Sequence, residues 1–346
     1  MGDISEGIHM SERALEIFKR VDDHINMAFT TYWLGRTAEQ RSQFTTAKKY
    51  YEESLKYFNQ SGSQRDLARP LNQLGDIAYH QCEYDTATKY LNEALDVLRE
   101  LGEEDRALAS FVIVSRAVVY IALNDLAKAT SDAERAMANF QRMKFDYGIV
   151  QCHICLGDIA CQQKEPAKAE KSYLDAIQMA ENRKQNSDLG LARRQLAKLW
   201  LQQEKLEDAL QVCSSALQTY GLISDLHGQA SCMQVHGDIF LAMGDTASAE
   251  KSYSDALHFL RHLHAIRGSA CCMLGLAKIA KSKNTEKEAI KLLLEAESKF
   301  SRLGDMDGAA ECQRVLNEPP KGIEVVSDNL GKEVRRKISE KTLVPA

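Results

Sequence analysis

One spacing constrains this chain more than any other feature: a small residue is followed twelve positions later by alanine, again and again. The pairs are Gly35 with Ala47, Gly75 with Ala87, Ala117 with Ala129, Gly157 with Ala169, Ala197 with Ala209 and Gly237 with Ala249. A seventh, Gly275 with Ala289, carries two extra residues in the polar stretch Lys281 to Glu286. Successive later alanines stand 40, 42, 40, 40, 40 and 40 positions apart. A fixed period of about forty residues marks a stack of supersecondary units, each burying its apolar face on its neighbours.

Seven positions beyond each of those alanines comes another small residue: Ser54, Ala94, Ala136, Ala176, Ala216, Ala256 and Ala296. Two helical turns separate the two, so both lie on one helix face. Small residues there let a partner helix approach until the surrounding side chains interlock. Tyr51, Leu55 and Phe58, or Tyr253, Leu257 and Leu260, supply the bulk at spacings of three or four. Short polar turns such as Cys82-Glu83-Tyr84-Asp85, Asn124-Asp125, Lys164-Glu165-Pro166 and Gly244-Asp245 separate the helices. Asp85, Asp125 and Asp245 are expected to cap the following helices, and Pro166 suits a first helical turn, where its missing N–H is not needed.

The segments Trp33-Leu34-Gly35-Arg36-Thr37-Ala38, Leu74-Gly75-Asp76-Ile77-Ala78 and Leu156-Gly157-Asp158-Ile159-Ala160, with the alanines that follow, resemble the tetratricopeptide repeat. The resemblance covers roughly residues 7 to 316. The common unit has about 34 residues and ends near a proline that is absent here. The longer unit is similar to the repeats of kinesin light chains, of mitotic-spindle G-protein-regulator scaffolds and of sensor regions in signalling ATPases. It implies an all-α, right-handed superhelical solenoid of about seven antiparallel helix pairs with a C-terminal capping helix. The expected division is a partial repeat over 1–28 (a second helix only, around Ala14, Leu15 and Phe18), seven repeats over 29–305, a cap over 306–317 and a flexible polar, basic tail over 318–346. Lys332, Arg335, Arg336, Lys337 and Lys341 make the tail basic. Ile17, Phe18 and Val21 are expected to lie partly exposed at the uncapped end, where self-association is one outcome.

A net charge of −5 supplies no overall attraction to nucleic acid or anionic membrane. The longest apolar stretch, Phe111 to Leu123, is short for a membrane span and is broken by Ser115 and Arg116. The start of the chain has neither a basic segment nor an apolar one of the export type, and Glu6 stands where a myristoylation motif needs Ser or Thr. Nine cysteines in that setting read as reduced thiols and the compartment as cytoplasmic.

Chemistry-bearing motifs are sparse. Gly331-Lys332 is followed by Glu333, not by Ser or Thr, so no phosphate loop is formed. Cys152-His153-Ile154-Cys155, with Cys161 nearby, lacks a second ligand pair and reads as buried thiols. Cys271 and Cys272 point to different helix faces, and His258 with His262 and His264 reads as an exposed helix end. The chain is therefore read as non-catalytic, with neither metal nor cofactor. A curved stack instead exposes its first helices along one concave wall. Positions three before and one after each small residue are expected to face it: Tyr32 and Arg36, Asn72 and Asp76, Val114 and Val118, Ile154 and Asp158, Arg194 and Lys198, Gln234 and Asp238, with Phe111 added. This run passes from mixed polar through apolar to basic and would match a protein partner's peptide or helix carrying apolar anchors and an acidic residue. The chaperone-binding members of the resembled family grip a terminal carboxylate with Lys and Asn; here Asp76, Asp158 and Asp238 hold the place after the glycine, which argues against that activity. The reading is an interaction scaffold; the alternative is the sensor region of a larger signalling ATPase.

Overall fold

The computed structural model describes residues 2–318 except 42, 105 and 264, without the side chains of 2–5 and 40. Among the described residues it is built from α-helices and no strand. In chain order these are α1 (Gly2–Arg20), α2 (His24–Gln40), α3 (Phe44–Ser61), α4 (Ala68–His80), α5 (Tyr84–Glu100), α6 (Ala107–Ala122), α7 (Leu126–Met143) and α8 (Asp146–Gln162). They continue as α9 (Pro166–Arg183), α10 (Asn186–Gln202), α11 (Leu206–Leu222), α12 (Leu226–Ala242), α13 (Thr246–His262), α14 (Ile266–Ser282), α15 (Glu286–Arg302) and α16 (Met306–Asn317). A 3-10 turn at Gln64–Leu67 lengthens the link from α3 to α4.

The molecule is an all-α solenoid. Each helix packs on its predecessor and successor, and α4, α6, α8, α10, α12 and α14 also touch one another in series. No comparable contact joins successive helices of the set α5, α7, α9, α11 and α13, so those lie on the longer, outer arc. The even-numbered helices thus form the inner wall.

Side-chain volume is matched across each helix pair. Tyr51, Leu91, Tyr173 and Tyr253 lie against Gly35, Gly75, Gly157 and Gly237, where an added Cβ would come within 2.4–2.8 Å of them. Ala117 and Ala197 stand where those glycines do, and there Ala133 and Cys213, both fully buried, occupy the places of the large residue. A glycine inside a helix costs about 1 kcal/mol relative to alanine. Burial of an aromatic ring in the space it leaves offsets that. A second set of holes, not foreseen from the repeat spacing, joins consecutive pairs: Phe140 seats on Gly148, Tyr220 on Gly228, Leu260 on Gly268 and Phe300 on Gly308.

Between helices the chain turns through one left-handed residue, as at Asn124, Lys164, Glu204, Gly244 and Asn284. The next N–H then reaches back five residues, as in Asp125 N–H to Tyr120 C=O at 2.9 Å and Asp245 N–H to Phe240 C=O at 2.9 Å. That bond satisfies a carbonyl the helix end would otherwise leave open. Asp125 and Asp245 cap the following helices through Lys128 N–H and Ser248 N–H. Pro166 is the first residue of its helix. Asp85 departs from expectation: it sits inside the first turn of α5, where Glu83 is the boundary residue and makes no side-chain cap. Asp23, Asp225 and Asp305 act as further caps.

At the amino-terminal end Leu15 packs with Met27 and Leu34, while Ile17 and Val21 are 57 % and 65 % exposed. No described helix is long and apolar enough to cross a membrane. The basic tail residues lie outside the described residues.

Candidate functional site

The inner wall brings the sequence-selected residues onto one side of the molecule but does not treat them alike. Those three positions before the small residue are squeezed between neighbouring wall helices. Tyr32, Val114 and Ile154 are only 7 %, 7 % and 5 % exposed. Each belongs to a core cluster that takes in the next wall helix: Tyr32 with Leu74 and Ile77, Val114 with Cys152, Ile154 with Leu189 and Ala192. Their expected place at the groove surface is corrected accordingly: they support the wall from within. Asn72, Arg194 and Gln234, in the same register, remain half-buried, as do Val118 and Phe111.

The position after the small residue faces the groove more openly, and Lys198 is exposed. Two of its aspartates are already engaged. Tyr173 Oη donates to Asp158 Oδ1 at 2.6 Å, and Tyr253 Oη donates to Asp238 Oδ1 at 2.6 Å. The tyrosine that fills a glycine hole therefore has its hydroxyl satisfied by the residue next to that glycine. Gln195 Nε2 adds a second donor to Asp158 at 2.7 Å. In the first pair the acceptor is Glu39, which takes the Tyr51 hydroxyl at 2.6 Å and lies 4.0 Å from Arg36. Enclosure by the helices raises the carboxyls of Asp158 and Asp238 above their ordinary range against the pull of those donors.

Asp76 differs because Leu91 occupies the tyrosine's place and offers no hydroxyl. Asn72 Nδ2 donates to it at 3.3 Å. Burial, with the charge of Glu39, pushes its carboxyl up to about 7. The folded chain thus holds this proton more tightly than the unfolded chain, whose carboxyl titrates near its ordinary value. Stability from Asp76 is full below that ordinary value and is lost as pH rises through about 7. Asp76→Asn is expected to raise stability at pH 8 by on the order of 2 kcal/mol and to have little effect near pH 4. Thermal melts at both pH values check it; an equal shift at both would remove the titration argument.

Near the middle of the wall Phe111 meets Phe140 at 5.0 Å, Tyr147 at 5.7 Å and Phe145 at 5.8 Å between ring centroids. Phe145 and Tyr147 are exposed, so this cluster offers an aromatic surface. The winding also brings distant wall helices together. The rings of His80, at the end of α4, and His227, in α12, are 6.1 Å apart. Enclosure and then the neighbouring histidine and Arg194 lower His227 to about 4. His80, although exposed at its helix end, is also lowered, by the protein around it and by Arg194 against Glu39. Arg194 and Lys198 make no hydrogen bond or ion pair among the described residues, and Arg194 Nε is buried without a partner. Lys198 is lowered first by the surrounding protein and then by Arg194. Sequence spacing did not reveal Glu39, Tyr147, His80 or His227, because nothing in a single repeat reports which repeats meet across the groove.

Among the described residues no three His, Cys, Asp or Glu side chains converge as a metal site. Burial pushes the Cys152 thiol up to about 12 and Cys155 well above its ordinary value. Cys271 and Cys272 are raised in the same way, to about 11 and above. His258 and His262 stack edge to face at 4.8 Å, and His264 lies outside the described residues.

Helix pairs of this length, stacked at a forty-residue period about glycine and alanine contacts, are matched by two family models. One, described as tetratricopeptide repeat, covers residues 66–142; the other, tetratricopeptide repeat-like domain, covers 112–267. Together they span more than half of the 346 residues. The chain belongs to the tetratricopeptide repeat superfamily. A search of curated proteins found no match to it. Solved structures share the tetratricopeptide fold at low identity. The Rap conjugation gene regulator of the plasmid pLS20, in complex with a Phr peptide, has TM-score 0.66 and 13 % identity over 89 % of this chain and 80 % of its own. A Rap protein complexed with Competence and Sporulation Factor has TM-score 0.63 and 14 % identity over 94 % and 80 %. A signal transduction ATPase with a tetratricopeptide repeat sensor, from Pyrococcus horikoshii, has TM-score 0.56 and 12 % identity over 97 % and 55 %. At such identities the likeness is one of fold, and the tetratricopeptide groove of this chain must be judged on its own side chains.

Proposed function

We propose that this chain is a non-catalytic interaction scaffold that holds an extended peptide or a helical segment of a partner protein in its groove. The observation that carries the reading is the pair Arg194 and Lys198: two cations one helical turn apart on the inner wall, neither within ion-pair distance of a carboxylate among the described residues, with Asp158 and Asp238 acting on them only from farther off. Arg194 Nε is buried without a hydrogen-bond partner, and an acceptor on an anionic guest would satisfy it. The aromatic surface around Phe111 and Tyr147, with Val118, supplies apolar contact for the same guest. Solved proteins of similar fold, among them the pLS20 regulator with its Phr peptide, are consistent with a peptide as occupant.

The test is retention of a library of short peptides on the immobilised full chain. Arg194→Glu and Val118→Asp should each lower retention about tenfold or more while leaving the helical circular dichroism unchanged. Unchanged retention with both variants would remove this groove as the site.

A second reading, the sensor array of a larger signalling ATPase, is supported by the fold likeness to the Pyrococcus horikoshii protein, of which this chain matches 55 %. An in-frame phosphate-loop domain encoded upstream would support it, and a stop codon there would remove it.

A further inference from the structure

One helix face at the amino-terminal end has the composition of a packed contact and lies open. α1 carries two seams. Ile8, Leu15 and Phe18 face the molecule, in one cluster with Met27 and Leu34. The other seam, Gly7, Met10, Ala14, Ile17 and Val21, advances by three and four residues alternately, which is the spacing of a two-helix coiled-coil contact. It points away from the molecule: Met10 is 56 % exposed, Ile17 and Val21 are as open, and a Cβ on Gly7 would meet nothing within 4 Å. The later outer helices show what such a face does when it is covered. Ser54, Ala94, Ala136, Ala176, Ala216, Ala256 and Ala296 stand where Ala14 does; all are fully buried, and Ser54 Oγ donates to the Ala28 carbonyl of α2 at 2.8 Å. Ala14 is partly exposed. Trp33 on α2 is open in the same way. It stands two positions before Gly35 and is 59 % exposed, whereas Cys155, Val235 and Met273, two before Gly157, Gly237 and Gly275, are buried in clusters that take in the preceding helix pair.

The other end of the stack is finished differently. Gln313 and Asn317 on α16 are exposed where α14, forty residues earlier, has the buried Met273 and Ala277. Gln313 Nε2 donates to Glu297 at 2.7 Å, and Arg314 Nε to Glu311 at 2.7 Å. Apart from Met306 at its start, this surface is polar, as a solenoid cap is, and it offers the apolar seam of α1 no counterpart. The seam of α1 does match itself. We propose that two copies of this chain join at their amino-terminal ends, with α1 antiparallel to α1 of the second copy across a two-fold axis near Ala14. Met10 then meets Ile17 of the second copy, twice by symmetry, and Ala14 permits close approach at the axis. Glu6 and Arg20, both exposed, flank the seam on one side, four residues before Met10 and three after Ile17. Antiparallel pairing sets Glu6 beside Arg20 of the second copy, whereas parallel pairing would set each charge beside its like. Arg13, on the same flank, falls near the axis, and its long side chain extends to water. Trp33 widens the covered surface toward the inner wall.

The 19 residues of α1 make a rod about 28 Å long, so the face belongs at the small end of specific interfaces, near about 1,200 Å² in all, and association in the micromolar range is expected. Sedimentation equilibrium of the full chain from about 1 to 200 µM should show the mass rising from 38.8 kDa toward twice that value. Met10→Glu and Ile17→Glu, at exposed positions, should each weaken dimerisation about tenfold or more while the helical circular dichroism stays unchanged. Gln313→Lys, at the other end, should leave it as it is. Glu6→Lys should weaken it several-fold, and Arg20→Glu added to Glu6→Lys should restore it. Direction is read by mild oxidation of single cysteine variants. Ala14→Cys should give a reducible dimer that the unaltered chain does not give, and Gly7→Cys should not, because antiparallel helices hold residue 7 roughly 20 Å from its own copy. A monomer throughout the range overturns the assignment, as does a dimer that neither Met10→Glu nor Ile17→Glu weakens or that Gln313→Lys disrupts. Assemblies that grow beyond two, crosslinking through Gly7→Cys, no crosslinking through Ala14→Cys, or no recovery in the charge exchange overturns the antiparallel two-fold arrangement.

Discussion

Gly157→Ala is expected to destabilise the middle of the solenoid by about 1–3 kcal/mol, although glycine-to-alanine changes inside helices ordinarily stabilise. A Cβ at this position would lie 2.4 Å from Cε1 of Tyr173, a ring that is 1 % exposed and held at its hydroxyl by Asp158. The ring has no space to retreat into. Tyr173→Ala should cost about 3–5 kcal/mol through the cavity it leaves. Adding Gly157→Ala to Tyr173→Ala should then be neutral or stabilising, because the clash is gone and the helix propensity gain of about 1 kcal/mol remains. The natural pair Ala197 with Cys213 already has that arrangement in the next repeat. Denaturant unfolding and amide exchange in α8 and α9 measure the cycle. An additive double variant would mean that volume matching across the pair is not what holds it.

Arg116→Ala is expected to cost about 3–5 kcal/mol. Arg116 Nε and Nη2 donate to the two oxygens of Asp132 at 2.8 Å each, and Nη1 donates to Asn92 at 2.8 Å. The two side chains of the ion pair are 18 % and 10 % exposed. Removing the guanidinium leaves Asp132 charged in a poorly hydrated place and Asn92 with an open acceptor. Arg116→Lys should recover little, since an ammonium cannot make the parallel pair of bonds. Asp132→Ala in the Arg116→Ala background should cost far less than Asp132→Ala alone. Thermal melts of the four proteins decide it, and equal costs of Asp132→Ala in both backgrounds would overturn the coupling. The sequence reading treated Arg116 as an interruption of an apolar run. In the fold it lies in the third helix pair, where Ala117 and Ala133 make a small contact and the three-residue polar cluster binds α5, α6 and α7 together.

The sequence by itself determined the helical class, the repeat period and the contacts about which helix pairs close. These were legible because each is a matter of fixed short spacing: Gly157 and Tyr173 are sixteen positions apart, as are Gly237 and Tyr253. The inter-repeat holes had a similar signal that went unread, with Phe140 and Gly148 eight positions apart, like Tyr220 and Gly228. The groove was legible only in part. Counting three back from each small residue assigns a helix face, but Tyr32, Val114 and Ile154 meet the adjacent wall helix, so that face is shared between core and groove. Tertiary structure alone decided that His80 and His227, 147 positions apart, touch across the groove beside Arg194. Winding is the sum of small rotations, each set by packing between consecutive repeats. No single repeat encodes that sum, and so the place where distant charges gather is a property of the whole stack.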